Sequence, residues 1–483
     1  MKARALILGA LTLALAPRAA IALLDRPYHD EPVYALIGAA WLDGSPPYLG
    51  LWDVKPPGLF ALYAVAQALG ASALVCLWLL PMIAAGASAL GLYAIARAWF
   101  DAPRAGAYAA GLFGAFSLAA EGMRGPAVLL AAPFLIWSMR FALAPRRRDA
   151  CAAGSLAACA CLVLQSSAFE AVLACALTSL SGADGRTKAS RAGGFFLGAA
   201  APALAMAAIL FAQGALVPAF EAVASVALAR ATFHPVGFWE GLALYLPWRL
   251  APYLPLVALC GFALLRGSLA REGGAQAAMM WLVAALAGAI VQRAVHAPYV
   301  MPLLPPLCLL AGLWLARTEA TAHRRALACL SVCYALAFSS HELLMGYYTR
   351  LIRETAQTID ARAQTPGVGM GLHVVDFEPS LHVLTGLPPA TGFVFALHLN
   401  CPFPLPRGVD RMTEIAAVMD RAPRFVVIRA EEPYRGVCME PQVRAFYAER
   451  LKESYELLRV VGRDNEVRVY ELRQGMAPRL RSR

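Results

Sequence analysis

Residues 5–34 read ALILGALTLALAPRAAIALLDRPYHDEPVY: an apolar run from Ala5 to Leu24 gives way to His29-Asp30-Glu31-Pro32-Val33-Tyr34. About two dozen residues later comes Trp52-Asp53-Val54-Lys55-Pro56-Pro57-Gly58. The run is near the ~20 residues that a bilayer crossing requires. Lys2 and Arg4 ahead of Leu6 to Ala16 have the form of a cleavable signal peptide. The apolar stretch nevertheless continues to Leu24 and further blocks follow, so we read a retained first helix. Two adjacent carboxylates and a lysine then sit where membrane meets water.

The 483 residues are 60% hydrophobic and 15% charged, with a mean hydropathy of +0.58. An ordinary soluble domain is only about half apolar, so the composition is that of a polytopic α-helical membrane protein. The net charge of +11 does not indicate nucleic acid, because the cations fall in short clusters between apolar blocks with no basic groove of interleaved aromatics. Nine of the eleven cysteines, Cys76 to Cys333, lie in or beside apolar segments, where the thiol behaves as a small hydrophobe. Cys401 and Cys438 lie in the tail and are candidates for one disulfide if that tail is outside the cytoplasm.

Apolar blocks near residues 5–24, 72–98, 104–120, 125–143, 150–164, 167–181, 193–213, 251–266, 276–292, 299–316 and 326–346 give about eleven expected spans. Lys2 and Arg4, Arg97 and Arg104, Arg146 to Arg148, Arg186 to Arg191, Arg266 and Arg271, and Arg317 to Arg325 fall in alternate connections. The positive-inside rule assigns these to the cytoplasm. The N-terminus is then expected inside, with the tail and the pair Asp30-Glu31 outside. In the external loop 25–71, Pro32 to Leu42 reads as an interfacial helix and Gly58 to Leu69 as a second apolar stretch too short to span. A second external loop is expected from Gln213 to about Leu250, with an amphipathic region from Phe238 to Arg249.

The expected division is a transmembrane part, 1–346, and an external C-terminal α/β domain, 347–483. In the latter, Gly371 to Asp376, Phe393 to Phe395 and Arg424 to Ile428 read as strands. Arg411 to Asp420 and Val443 to Glu453 read as helices, and Tyr455 to Val461 with Val467 to Leu472 as a hairpin turning on Asp464-Asn465.

The Asp30-Glu31 loop with its Lys-Pro-Pro-Gly partner resembles the first external loop of the GT-C glycosyltransferases. The resemblance is closest to the bacterial branch containing aminoarabinose, galacturonosyl and protein-mannosyl transferases. Later motifs extend it over nearly the whole chain: Gln165-Ser166-Ser167-Ala168-Phe169-Glu170 between two short spans, His296-Ala297-Pro298-Tyr299 before a late helix, and Thr385-Gly386 through Phe395. It implies a membrane enzyme that takes a sugar from a polyprenyl-phosphate carrier.

On this resemblance Asp30 is the expected base, with Glu31 beside it as a second catalytic carboxylate; the alternative is that Asp30 merely caps a helix starting at Pro32. Lys55 is the candidate phosphate ligand, against a plain snorkelling lysine. An ammonium about 4 Å from a phosphate charge is worth roughly 4 kcal/mol at an effective dielectric near 20. Val33 stands where some members carry an arginine, so Arg18, Arg124, Arg249 and Arg293 are further phosphate candidates. Pro126 stands where some carry an acid, with Glu121 as its stand-in. Tyr34, Asp53, Glu121, Gln165, His296 and Tyr299 are expected to line the substrate cavity, though Asp53 could simply pair with Lys55. Arg18, inside the first span, would cost about 2.5–3.5 kcal/mol facing lipid, so it is expected to face the bundle.

No zinc-type His or Cys cluster is present in the sequence. No cofactor is expected to be required, although two carboxylates and a phosphate could hold a divalent cation. The implied reaction is inverting transfer to a lipid-linked or envelope glycan acceptor, outside the inner membrane. Membrane lipids are the other expected partners, and no nucleic acid is. A multi-span lipid or polysaccharide transporter is the alternative of another class, although no internal repeat supports it. A noncatalytic family member is a third.

Overall fold

The computed structural model describes residues 2–23, 30–232, 237–265, 273–292, 296–318, 321–344, 346–365, 367, 369–429, 439–462 and 467–475. Each apolar block expected to span is helical. Among the described residues, five helices are long and apolar enough to cross a membrane: Ala73–Phe100, Gly185–Ala212, Phe238–Leu264, Gly273–Val291 and Ala297–Arg317. The chain is a multi-pass membrane protein.

The first half runs through α1 (Lys2–Leu23), α2 (Glu31–Leu42), α3 (Pro57–Ala68), α4 (Ala73–Phe100), α5 (Pro103–Phe116), α6 (Ala127–Ala142), α7 (Arg147–Val163), α8 (Ala168–Leu180) and α9 (Gly185–Ala212). Ends follow local chemistry. Ser72 caps α4 by accepting from the Val75 N–H, and Asp184 caps α9 by accepting from Thr187. The Ala- and Gly-rich helices α7 and α9 pack directly on each other, the small-residue contact through which helices associate in lipid. Arg191 of α9 is buried, but its guanidinium donates to the carbonyls of Thr178, Ala142 and Ala144, which satisfies a charge that lipid would not.

Between α9 and Gly273 the architecture differs from expectation. The expected loop from Gln213 to Leu250 holds helices over Leu216–Phe220 and Ala227–Thr232 around a π-helical stretch, Glu221–Val226. Phe238–Leu250 then continues through a 3-10 turn, Ala251–Tyr253, into Leu254–Leu265. The candidate spanning helix therefore starts at Phe238, because Pro247 and Pro252 are accommodated within continuous helical turns rather than ending it.

The C-terminal portion opens with helix Gly346–Ala363 and forms a four-stranded sheet of order β1-β2-β4-β3. The strands are β1 (Leu372–Val374), β2 (Phe425–Arg429), β3 (Tyr455–Val461) and β4 (Val467–Leu472). β1 and β2 are parallel, with Leu372 opposite Phe425; the other pairings are antiparallel. β2 is buried on both faces. Phe425 and Val427 face Leu351, Ile352 and Ile359 of the opening helix. Val426 and Ile428 face Ile415 and Val418 of Arg411–Asp420 and Tyr447 of Pro441–Ser454. Cys401 is held in a disulfide; Cys438 and the Asp464-Asn465 turn lie outside the described residues.

One expected strand is absent. Phe393 to Phe395 has no sheet partner among the described residues: Val394 is buried in the core of the membrane part and Phe393 packs on Trp52. Its apolar side chains serve docking to the first loop, so strand-like composition here reflects burial rather than pairing.

Candidate functional site

The site begins at the N-terminus of α2, where Pro32 in the first turn pre-sets the helix. Asp30 occupies the cap position but its carboxylate makes no cap hydrogen bond. Its Oδ2 instead accepts from the Tyr34 hydroxyl at 3.2 Å, one helical turn on. Glu31 is buried. Tyr34 is buried in an aromatic cluster with Phe60 and Tyr63, at centroid distances of 6.3 and 6.0 Å, and Tyr48 meets Phe60 edge-on. Burial holds the Tyr34 hydroxyl well above its usual range, and the charges of Asp30, Asp53 and Glu31 push it further up. Tyr34 therefore stays protonated and donates to Asp30.

The second motif forms a tight loop against this cluster. Asp53 is buried and its Oδ1 accepts from the backbone N–H of Lys55 at 3.0 Å, while Tyr48 Oη donates to the Lys55 carbonyl at 2.7 Å. Asp53 thus shapes the turn that carries Lys55, in the manner of an Asx turn. Pro56 and Pro57 start α3, and Gly58 follows because a Cβ there would lie 2.6 Å from the Leu162 carbonyl of α7. Gln165, at the break after α7, donates to the Val54 carbonyl at 3.3 Å and so holds this loop.

The remaining candidates divide. Glu121 sits in a π-helical turn, Leu118–Gly122, with φ of 61°, a backbone strain that is uncommon outside glycine and is found at functional sites. That turn packs on Ala297–Leu303, which carries Tyr299; the exposed His296 ring meets Tyr299 edge-on at 5.2 Å. Arg124 follows in the same connection and is buried, ahead of Pro126 at the start of α6. Arg249 lies in the last turn of Phe238–Leu250, which also packs on Ala297–Leu303. Arg18 faces the bundle as expected, but the partners seen are neutral: Nη2 donates to Ser117 Oγ at 3.0 Å and Nη1 to the Ala14 carbonyl at 2.6 Å. Arg293 lies outside the described residues, as does His29.

Residues of the C-terminal portion also reach this region; Gly392 and Phe393 fall in the stretch Thr385 to Phe395 singled out in the sequence, whereas His398, Glu378, Tyr348 and Arg429 carried no sequence signal. The Trp52 N–H donates to the Gly392 carbonyl at 2.8 Å, and its ring packs on Phe393 and His398. A Cβ on Gly392 would stand 2.5 Å from the Gly50 carbonyl, so the two segments meet backbone to backbone. Helix Ser380–Thr385 packs on α2 and α4. Just before it, buried Glu378 accepts from Tyr348 Oη at 2.6 Å, and Arg429 donates to the same hydroxyl at 2.5 Å. Among the described residues no group of three or more His, Cys, Asp and Glu side chains could hold a metal.

No family model matches the sequence and no curated protein does. Solved structures do match. ArnT from Cupriavidus metallidurans bound to undecaprenyl phosphate has a TM-score of 0.61 at 17% identity, over 98% of each chain. The same protein in the apo state gives 0.57 at 17% identity, over 94% of this chain and 97% of that one. Arabinofuranosyltransferase AftD from Mycobacteria gives 0.50 at 16% identity, over 95% of this chain and 40% of that one. The chain has the GT-C membrane glycosyltransferase fold.

Proposed function

We propose that, on this fold, the chain transfers one sugar, a hexose or a pentose, from a polyprenyl-phosphate donor to a lipid-linked or envelope glycan acceptor, with inversion. The carrying observation is that the Asp30 carboxylate is not used as a helix cap but is held by Tyr34 beside Glu31. Support at the level of fold comes from the similarity to ArnT, whose crystal structure holds undecaprenyl phosphate.

In this reading Asp30 takes the proton of the acceptor hydroxyl as its oxygen attacks the anomeric carbon of the sugar. The carbon–oxygen bond to the phosphate breaks with its electron pair on the departing polyprenyl phosphate. Tyr34 fixes the orientation of Asp30, Asp53 shapes the turn presenting Lys55, and Lys55 with Arg124 stabilises the charge on the leaving phosphate. Glu31, Arg18 and Arg249 act in the same cavity, with Glu121, Gln165, His296 and Tyr299 on its walls; Arg293, outside the described residues, is a further candidate for the phosphate. No step is assigned to a metal ion.

The proposed setting is the inner membrane, with about eleven spans, the N-terminus cytoplasmic, and residues 347–483 as a soluble periplasmic domain. Purified protein incubated with a panel of labelled polyprenyl-phosphate sugars and envelope extracts, followed by mass spectrometry, tests the reading. A sugar-bearing product that Asp30→Asn protein does not make supports it; no product with any donor overturns it.

A further inference from the structure

Helix Pro441–Ser454 has two faces. Val443, Tyr447 and Leu451, spaced one turn apart, are buried in the core that β2 and helix Arg411–Asp420 share. The adjoining face carries Phe446, Glu449, Arg450, Glu453 and Ser454, the spacing of a single helical stripe. These residues line a cavity of about 590 Å³, a volume within the range of small-molecule sites. Its other walls are the end of helix Arg411–Asp420, with Ala422 beyond it, and the junction where Tyr455 of β3 pairs with Leu472 of β4. All of this lining comes from the C-terminal portion, so the cavity is separate from the Asp30 site.

The fold holds these groups in place without using up their hydrogen-bonding capacity. Tyr455 is buried, and its hydroxyl donates to the Pro423 carbonyl at 2.9 Å. The Arg450 guanidinium lies over the Phe446 ring at 5.5 Å and donates through Nη2 to Asp420 Oδ1 at 2.8 Å. Its Nε and Nη1 remain as donors toward the cavity. The side chains of Glu449, Glu453 and Ser454 have no hydrogen-bond partner among the described residues and add acceptors and a hydroxyl. A fixed donor, separated acceptors and aromatic walls are thus preorganised around one space.

Charge narrows the ligand. Asp420, Glu449 and Glu453 stand against the single guanidinium of Arg450, a balance that repels phosphate and other anions. Nor do the acids converge as metal ligands would, since among the described residues no group of three or more His, Cys, Asp and Glu side chains could hold a cation. Such walls suit a ring with hydroxyl groups on its rim and C–H bonds on its face. We infer that this cavity is a saccharide site, selective for neutral and amine-bearing sugars over acidic ones, and that it holds the glycan chain of the acceptor away from its reacting end. Acceptor holding rests on the glycosyl-transfer reading above; saccharide binding at the cavity stands without it.

The test titrates full-length protein in lipid nanodiscs with three probes of equal length: chitotetraose, which is neutral, its de-N-acetylated form, which bears amines, and tetragalacturonate, which is acidic. Wild type is expected to bind the first two and to bind the acidic probe roughly tenfold more weakly or not at all. Glu449→Gln combined with Glu453→Gln should weaken binding of the amine-bearing probe roughly three- to tenfold and narrow the penalty on the acidic one. The neutral probe should change little, because Gln keeps an acceptor at each position. Arg450→Gln removes the donor and should weaken all three. Should the double variant fail to fold, Glu449→Lys alone must shift preference toward the acidic probe. Wild type that binds no probe, that binds the acidic and amine-bearing probes equally, or whose preference the charge variants leave unmoved overturns the inference. In sugar transfer to a glycan acceptor, Arg450→Gln should raise the acceptor KM more than it lowers kcat; an unchanged acceptor KM overturns the holding role. Wild type that binds the probes but transfers no sugar from any donor overturns the functional reading and leaves the saccharide site standing.

Discussion

Replacing Asp30 with Asn separates the catalytic role from the structural one. The Asp30 side chain makes no helix-cap bond, so capping energy is not at stake. Its hydrogen bond from Tyr34 Oη at 3.2 Å can be kept by the Asn carbonyl oxygen. The change in stability should therefore stay within about 1 kcal/mol, the net worth of one hydrogen bond. The amide cannot take a proton at neutral pH. Loss of a general base costs on the order of 10²–10⁴ in rate, equivalent to about 2.7–5.4 kcal/mol of transition-state stabilisation. The assay is sugar transfer from a labelled polyprenyl-phosphate donor under saturating acceptor, alongside thermal unfolding of the same preparation. Tyr34→Phe should lose less, roughly tenfold, because the base remains and only its orientation is relaxed. Asp30→Asn protein that melts with wild type and transfers at a near wild-type rate would refute the assignment.

Lys55→Ala should impair donor use more than acceptor use, and Lys55→Arg should keep part of the activity, since charge survives while a point donor becomes a planar fork. Donor binding and turnover at wild-type values in Lys55→Ala would leave the lysine as an interfacial anchor. In the C-terminal portion, burial drives the His373 imidazole down to about 3 from 6.5, so it stays neutral in the fold while the unfolded chain takes up a proton. Its share of stability is complete above pH ~6.5 and is lost as pH falls toward ~3, at about 1.4 kcal/mol per pH unit. Unfolding measured at pH ~7 and ~5 should show wild type losing about 2 kcal/mol more than His373→Gln; equal losses would place the acid sensitivity elsewhere. For topology, cysteines introduced at the exposed positions Asp43 and Glu456 should react with an impermeant thiol reagent in intact cells, and one at exposed Ala183 only after permeabilisation. Protection at Glu456 alone would change the parity of the spans.

Much of the framework was legible before any coordinates, because it is local. Apolar blocks of bilayer length separated by cationic turns locate the helices. The hairpin Tyr455 to Leu472 keeps the bounds its alternation gives it, and Asp30 and Tyr34 are four residues apart, which puts them on one face of a helix wherever that helix sits. The Lys-Pro-Pro-Gly motif likewise carries its own turn.

Only the tertiary structure decided what those elements meet. Whether Asp30 caps α2 or faces Tyr34 depends on a rotamer that packing selects, and Glu121 acquires its strained φ from the π-helical turn between α5 and α6. Phe393 to Phe395 has the composition of a strand, yet it became a docking segment because Trp52 and the membrane core lay in reach. Glu378, Arg429 and Tyr348 carry no motif at all, yet they come together across as many as 81 residues of chain. Periodicity reports which face of an element avoids water. It holds no information on which distant face covers it, and that pairing follows from close approaches, such as those at Gly58 and Gly392, that exist only once the helices and the sheet are packed.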